Sequence, residues 1–313
     1  MTRPGDRPAR GVTAEPPPSS GAGRWAAPTA FVLLWSAGFT FVSLGLQDSE
    51  PLTFLALRYI AVVALLVPLF AVMRPPLPQT AEQWRHLVMT GLVLQALYFS
   101  LLYAAIGLDA PAGTAALIVS LQPILVGLAA PRVAGEHVGA QRWLGLVLGL
   151  VGAAEVIVAR QGVESIPAGA LLCTLAALAA LAIGTLYENR FGAEQHPITA
   201  NLVQYTVALA VVAPAAALFE DLRAAWTANL VVSLAYLVIA NSLLAITLLL
   251  AMLRRGEASR VSALFFLTPP LAALIAWLVL GEDLPPAAWP GMLVAAVGVA
   301  LATRSRSAQP SAR

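Results

Sequence analysis

Between Trp25 and Thr303 the chain repeats one pattern, an apolar run of about twenty residues followed by a short polar or proline-containing break. A bilayer core of about 30 Å takes about 20 apolar residues in helical form. On that measure the chain reads as ten spans, at 25–46, 52–72, 87–107, 111–131, 143–159, 168–187, 198–219, 229–250, 258–280 and 287–303. Several loops are shorter than ten residues, so successive helices must run antiparallel. Period-2 alternation is missing and the runs are twice a strand's length, which excludes a β-barrel. The expected fold class is an all-α integral membrane protein of ten transmembrane helices.

Composition supports that reading. Of the 313 residues, 59% are hydrophobic and 11% charged, and the mean hydropathy is +0.80. A soluble domain carries roughly 25% charged residues, so too little polar surface is present to cover a water-exposed body. Residues 1–24, rich in Pro and Arg, lack an apolar stripe and are expected to be a disordered cytoplasmic tail. The run from Trp25 is too long for a typical secretory leader and is read as the retained first span. Residues 304–313 form a second short polar tail.

All 18 basic residues are Arg, a bias that points to a GC-rich bacterial genome. With the N-terminus in the cytoplasm, fifteen of them fall in cytoplasmic segments, while only Arg160 and Arg223 fall in outer loops and Arg58 lies within a span. The positive-inside rule therefore places both termini in the cytoplasm and the protein in the cytoplasmic membrane. The same placement makes these arginines topology signals, so nucleic acid is not an expected partner. Cys173 is the only cysteine, which excludes an intrachain disulfide or a cysteine metal cluster. His86, His137 and His196 are read as solvated loop residues, and no metal site is expected.

Self-comparison at a shift of 146 residues reveals an internal repeat. Gly38 maps onto Gly184, Pro51-x-Thr53 onto Pro197-x-Thr199, Tyr59 onto Tyr205, Pro68 onto Pro214 and Pro123 onto Pro269. Gly135-Glu136 maps onto Gly281-Glu282, Trp143 onto Trp289, Gly145 onto Gly291 and Gly152 onto Gly298. The shift equals five spans. Five is odd, so the second half (166–303) enters the membrane from the side opposite to the first (25–160). Inverted repeats of this kind are a recurring plan of secondary transporters.

Pro123 and Pro269 read as kinks inside the fourth and ninth spans, where proline removes a backbone donor. The freed carbonyls must face protein, water or ligand; kinked helices lining a cavity and kinks packed on neighbours both satisfy that. Arg58 in the second span is costly at membrane depth. It either snorkels to the outer interface or pairs in a cavity with an anionic group or Glu155. Glu155 in the fifth span is a candidate proton-coupling carboxylate, or a partner of Arg160. Gln95, Phe99 and Tyr103 fall on one face of a 100° helix, and Gln95 is the repeat mate of Asn241. Gln122 and Thr268 form another mated pair, and Trp35 could stack on a solute. These seven are candidate substrate contacts, with interhelical hydrogen bonding or packing as the alternative. The Gly145, Gly149 and Gly152 edge is a helix-packing signal. Walker A, HExxH and GxSxG patterns are absent, so no cofactor and no enzymatic chemistry is expected.

Ten spans in a five-plus-five repeat, Pro123 through Gly135-Glu136 to Trp143 and Gly145, and Pro269 through Gly281-Glu282 to Trp289 and Gly291, resemble the drug/metabolite transporter superfamily, EamA branch. Trp35-Ser36 and Arg58 also look like that family. The resemblance covers nearly the whole chain outside the two tails. It implies a permease with a central cavity between the halves, moving amino acids or other metabolites, with Glu136 and Glu282 capping helix ends. The leading expectation is secondary transport by alternating access, with export favoured and protons as the candidate coupling ion. Nucleotide-sugar exchange, a membrane enzyme and a non-transporting assembly subunit are the alternatives.

Overall fold

A chain segment that leaves water for lipid must satisfy its backbone polar groups internally, and a helix does so with bonds inside one segment. The computed structural model describes residues 21–110, 112–133, 139–161, 167–191, 195–253, 263–280 and 285–303. Its regular structure is helical, and the strand-like pairing among the described residues is an isolated bridge between Ser49 and Ala224.

The first half contains α1 (Gly21–Gly45), α2 (Pro51–Met73), α3 (Ala81–Thr90), α4 (Tyr98–Gly107), α5 (Ala112–Val119), α6 (Gln122–Val133) and α7 (Ala140–Gln161). The second contains α8 (Ala168–Phe191), α9 (Pro197–Phe219), α10 (Ala228–Tyr236), α11 (Ile246–Leu253), α12 (Thr268–Leu280) and α13 (Ala288–Thr303). Six stretches among the described residues are long and apolar enough to cross a bilayer: Ala27–Gly45, Pro51–Met73, Ala81–Gly107, Ala168–Phe191, Pro197–Phe219 and Ala228–Met252. The shorter apolar stretches Ala115–Ala129, Leu264–Ile275 and Ala288–Ala302 fall on the fourth, ninth and tenth spans, and α7 is the fifth.

The third span begins earlier than its hydropathy suggests. Thr80 accepts from the Gln83 backbone while the Gln83 side chain caps the Thr80 backbone, and this capping box draws the polar segment after it into helix. His86, expected in a loop, is therefore a helical residue; it is 9% exposed, with Nδ1 2.6 Å from the Tyr187 hydroxyl of α8. His196 caps α9. His137, Glu136, Glu282 and the tails 1–20 and 304–313 lie outside the described residues.

The repeat extends to backbone irregularities. α3 and α4 are joined by a π-helical turn, Gly91–Leu97, and α10 and α11 by another, Leu237–Ala245, which starts at the mated position. The tyrosines matched in sequence explain themselves here. The Tyr59 hydroxyl donates to the Gln95 carbonyl at 2.6 Å, and the Tyr205 hydroxyl donates to the Ser242 carbonyl at 3.1 Å. Each thus serves a carbonyl inside a π turn. Likewise the fourth span breaks at Ser120 and Leu121, and a 3₁₀ turn, Leu264–Leu267, precedes α12. Pro123 is consequently the second residue of a helix that starts after a break, where an N–H has no intrahelical partner in any case. Pro269 stands in an unbroken helical run, just after the 3₁₀ turn.

Packing follows the same twofold plan. α1 lies against the eighth and ninth spans, and α8 against the third and fourth; α2 pairs with α9, and α7 with α13. The α7–α13 seam is backbone on backbone. A Cβ on Gly152 would collide with the Ala295 nitrogen and Gly291 carbonyl, and one on Gly145 with Ala302 and Gly298. Gly38 and Gly184 make a related allowance, since a Cβ there would strike Asn241 or Leu94 of the facing π turn. At the α2–α9 pair, the Glu220 carboxylate after α9 caps the α2 N-terminus, accepting from the Leu52 and Thr53 nitrogens at 2.8 and 2.7 Å. Glu50 in turn accepts from the Arg223 nitrogen at 2.8 Å.

Candidate binding cavity

Where α1, α2 and α4 meet the eighth span, the seam between the halves leaves a narrow, half-open cleft whose enclosed space is small. Trp35, Phe39, Arg58, Phe99, Leu237 and Asn241 are among its lining residues. Gly38 keeps this place open, because a Cβ there would strike the Asn241 amide.

Arg58 is the chemical centre. It is 0% exposed. Nε donates to Ser242 Oγ at 2.8 Å, Nη1 to the Tyr103 hydroxyl at 3.0 Å and Nη2 to Asn241 Oδ1 at 2.9 Å. The guanidinium carbon also lies 4.6 Å from the Phe99 ring centroid, a cation–π distance. All these partners are neutral. Of its five N–H donors, three go to these side chains, and the Tyr205 hydroxyl also stands beside the guanidinium.

Aromatic rings build the wall beside it. Trp35 stacks nearly parallel on Tyr98, with centroids 6.4 Å apart and planes 10° apart, and meets Phe31 and Phe265 at 5.5 Å. The Trp35 Nε1 and Tyr98 hydroxyl are buried without a hydrogen-bond partner. A buried donor left unmade costs about 1–3 kcal/mol, so these atoms are ready to accept a polar group.

The residues singled out in the sequence separate into two sets. Trp35, Arg58, Phe99 and Asn241 line the cavity, and Tyr103 stands behind it as an anchor of Arg58. Gln95 does not line it, because the π turn breaks the helical register between it and the two aromatics. Its side-chain amide and that of Gln204, the repeat mate of Arg58, are buried without partners. Gln122 instead donates to Thr185 of α8 at 3.1 Å, and buried Thr268 opens α12. Glu155 lies on the exposed side of α7, its Cβ against Gly291 of α13, and is not among the hydrogen-bond partners of Arg58. Ser242, Tyr98, Phe31 and Phe265 were not singled out, although each shapes the site. Their common signal is departure from the repeat. Phe31, Trp35, Tyr98, Phe99 and Tyr103 stand where the second half has Ala177, Leu181, Leu244, Ala245 and Leu249, and Phe265 where the first has Val119.

A body of membrane-spanning helices with a mostly apolar cavity around one buried arginine, at the seam of two halves, is the architecture of a polytopic membrane permease. The model of the EamA-like transporter family matches residues 27–158 and again 168–304. The chain belongs to that family; it is a multi-pass membrane transporter and not an enzyme. It is similar to the transporter YvbV of Bacillus subtilis, 27% identical over 90% of this chain and 92% of the relative. It is also similar to a probable amino-acid metabolite efflux pump of Salmonella typhimurium, 28% identical over 81% of this chain and 85% of the relative. A protein crystal structure, 23% identical, superimposes with a TM-score of 0.74 over 91% of this chain and 97% of the other, which shows the shared fold.

Proposed function

We propose that the protein is a secondary transporter that exports a small metabolite, amino-acid-like in size, across the cytoplasmic membrane by alternating access. The observation that carries this reading is Arg58, a charged side chain buried at membrane depth with neutral partners only, on the wall of a cavity between inverted halves. Ionisable groups inside membrane spans mark substrate or ion pathways. The efflux-pump name of the Salmonella relative supports the export direction.

With both termini cytoplasmic, α1 runs outward, and the cavity rises from Trp35 at mid-depth past Val42 toward the outer face. Phe31, Trp35 and Phe265 then form its floor, and exchange of that floor for an opening on the inner side is the alternating step. Coupling through Glu155 draws no support from its place on the exposed side of α7. A nucleotide sugar is a poor fit to one guanidinium in a narrow cavity.

The test is flux in liposomes containing the purified protein, over a panel of amino acids, their oxo and hydroxy acids and short organic acids. Counterflow of at least one solute above protein-free liposomes is expected. A broad panel with none overturns the reading.

A further inference from the structure

We propose that the ligand of the Arg58 cavity is a net anion, an organic monocarboxylate with an apolar body, rather than a zwitterion or a neutral solute. This rests on the transport reading above and names the substrate class of the same site.

Moving a lone guanidinium out of water is costly unless it is paired, and Arg58 is held by neutral hydroxyls and an amide oxygen. A carboxylate supplies the missing charge and accepts charge-assisted N–H bonds from the guanidinium. The neighbouring Trp35 Nε1 and Tyr98 hydroxyl, both buried and unpartnered, are further donors for its oxygens. A zwitterion satisfies the first half of this site and fails the second. Its ammonium needs an acceptor or an anion, and no Asp or Glu is among the described residues lining the cavity. The Phe99 face, the nearest aromatic surface to the charge, is already taken by the guanidinium. The rest of the wall (Phe39, Val42, Leu102, Ile106) is apolar and suits a hydrocarbon body.

The experiment compares three ligands on one carbon skeleton: 3-phenylpropionate, 3-phenylpropionamide and phenylalanine, with chloride and inorganic phosphate as controls. The readout is ligand-dependent thermal stabilisation of the purified full-length protein in detergent, titrated to give an apparent Kd. The carboxylate should bind at least tenfold more tightly than the amide and the amino acid, and Arg58→Gln should remove the difference. Because Arg58→Gln can disturb folding, Asn241→Asp serves as the second variant. It sets a carboxylate against Nη2 in place of the amide, neutralises the site from within and should abolish 3-phenylpropionate binding without lowering the ligand-free melting temperature. Equal binding of amide and carboxylate, tighter binding of phenylalanine, equal stabilisation by chloride or phosphate, or undiminished binding in Asn241→Asp each overturns the assignment. So does the absence of any response. Flux of a neutral or zwitterionic solute in liposomes would then still uphold the transport reading, so the two fail separately.

Discussion

An arginine at the centre of a membrane helix costs roughly 2.5–3.5 kcal/mol on insertion scales, and the fold surrounds Arg58 with three side-chain acceptors and a ring face. Hydrogen bonds to charged groups contribute about 1.5–3 kcal/mol each. Tyr103→Phe, which removes one acceptor and leaves the ring, should therefore lower the melting temperature and raise the KM for the transported solute roughly tenfold or more, with kcat less affected. Flux kinetics beside a thermal melt check this; an unchanged KM would remove Tyr103 from the positioning of Arg58. Arg58, Trp35, Phe99 and Asn241 were legible in the sequence because polar or bulky side chains stand out in an Ala- and Leu-rich background. Ser242 and Tyr98 were not, since a serine or tyrosine in an apolar span ordinarily reads as packing. The repeat drew attention to Gln122 and Thr268, which keep their match because each opens a helix, after a break at Gln122 and after a 3₁₀ turn at Thr268. The side chains that line the cavity lie where the two halves differ.

At the scale of elements, helix positions followed from hydropathy, and the irregularities did not. No residue pattern announces a π turn, yet Gly91–Leu97 and Leu237–Ala245 decide which faces of the third and eighth spans reach the cavity. The prolines were visible and their geometry was not. Because Pro123 occupies the first turn of α6, replacing it by Ala should shift stability by no more than about 1 kcal/mol and leave flux within about twofold. A gain nearer 3 kcal/mol, as when a proline is removed from a helix interior, would contradict the helix-start geometry. The α7–α13 seam has the opposite tolerance. Gly152→Leu must push two backbones apart, and overpacking of this kind costs typically 1–3 kcal/mol, occasionally more. The expected outcome is an earlier melt and loss of the monodisperse peak after solubilisation; a wild-type elution profile would argue against close backbone contact there.

The whole molecule combines a symmetric frame with asymmetric chemistry. Mated glycines, prolines and tyrosines build two halves with the same π turns, while one half supplies the arginine and most of the aromatic wall. On the proposed function, such a frame opens to either side at similar energy and the unequal side chains decide which state holds the solute. The sequence repeat made the frame legible, since its matches are residues with backbone tasks. The directness of the claim allows a direct test with Leu77 and Arg223, exposed repeat mates in the loops after α2 and α9. In a Cys173→Ser background, Arg223→Cys should react with a membrane-impermeant maleimide on intact cells, and Leu77→Cys only after permeabilisation. Reaction of both from the same side would contradict the inverted repeat.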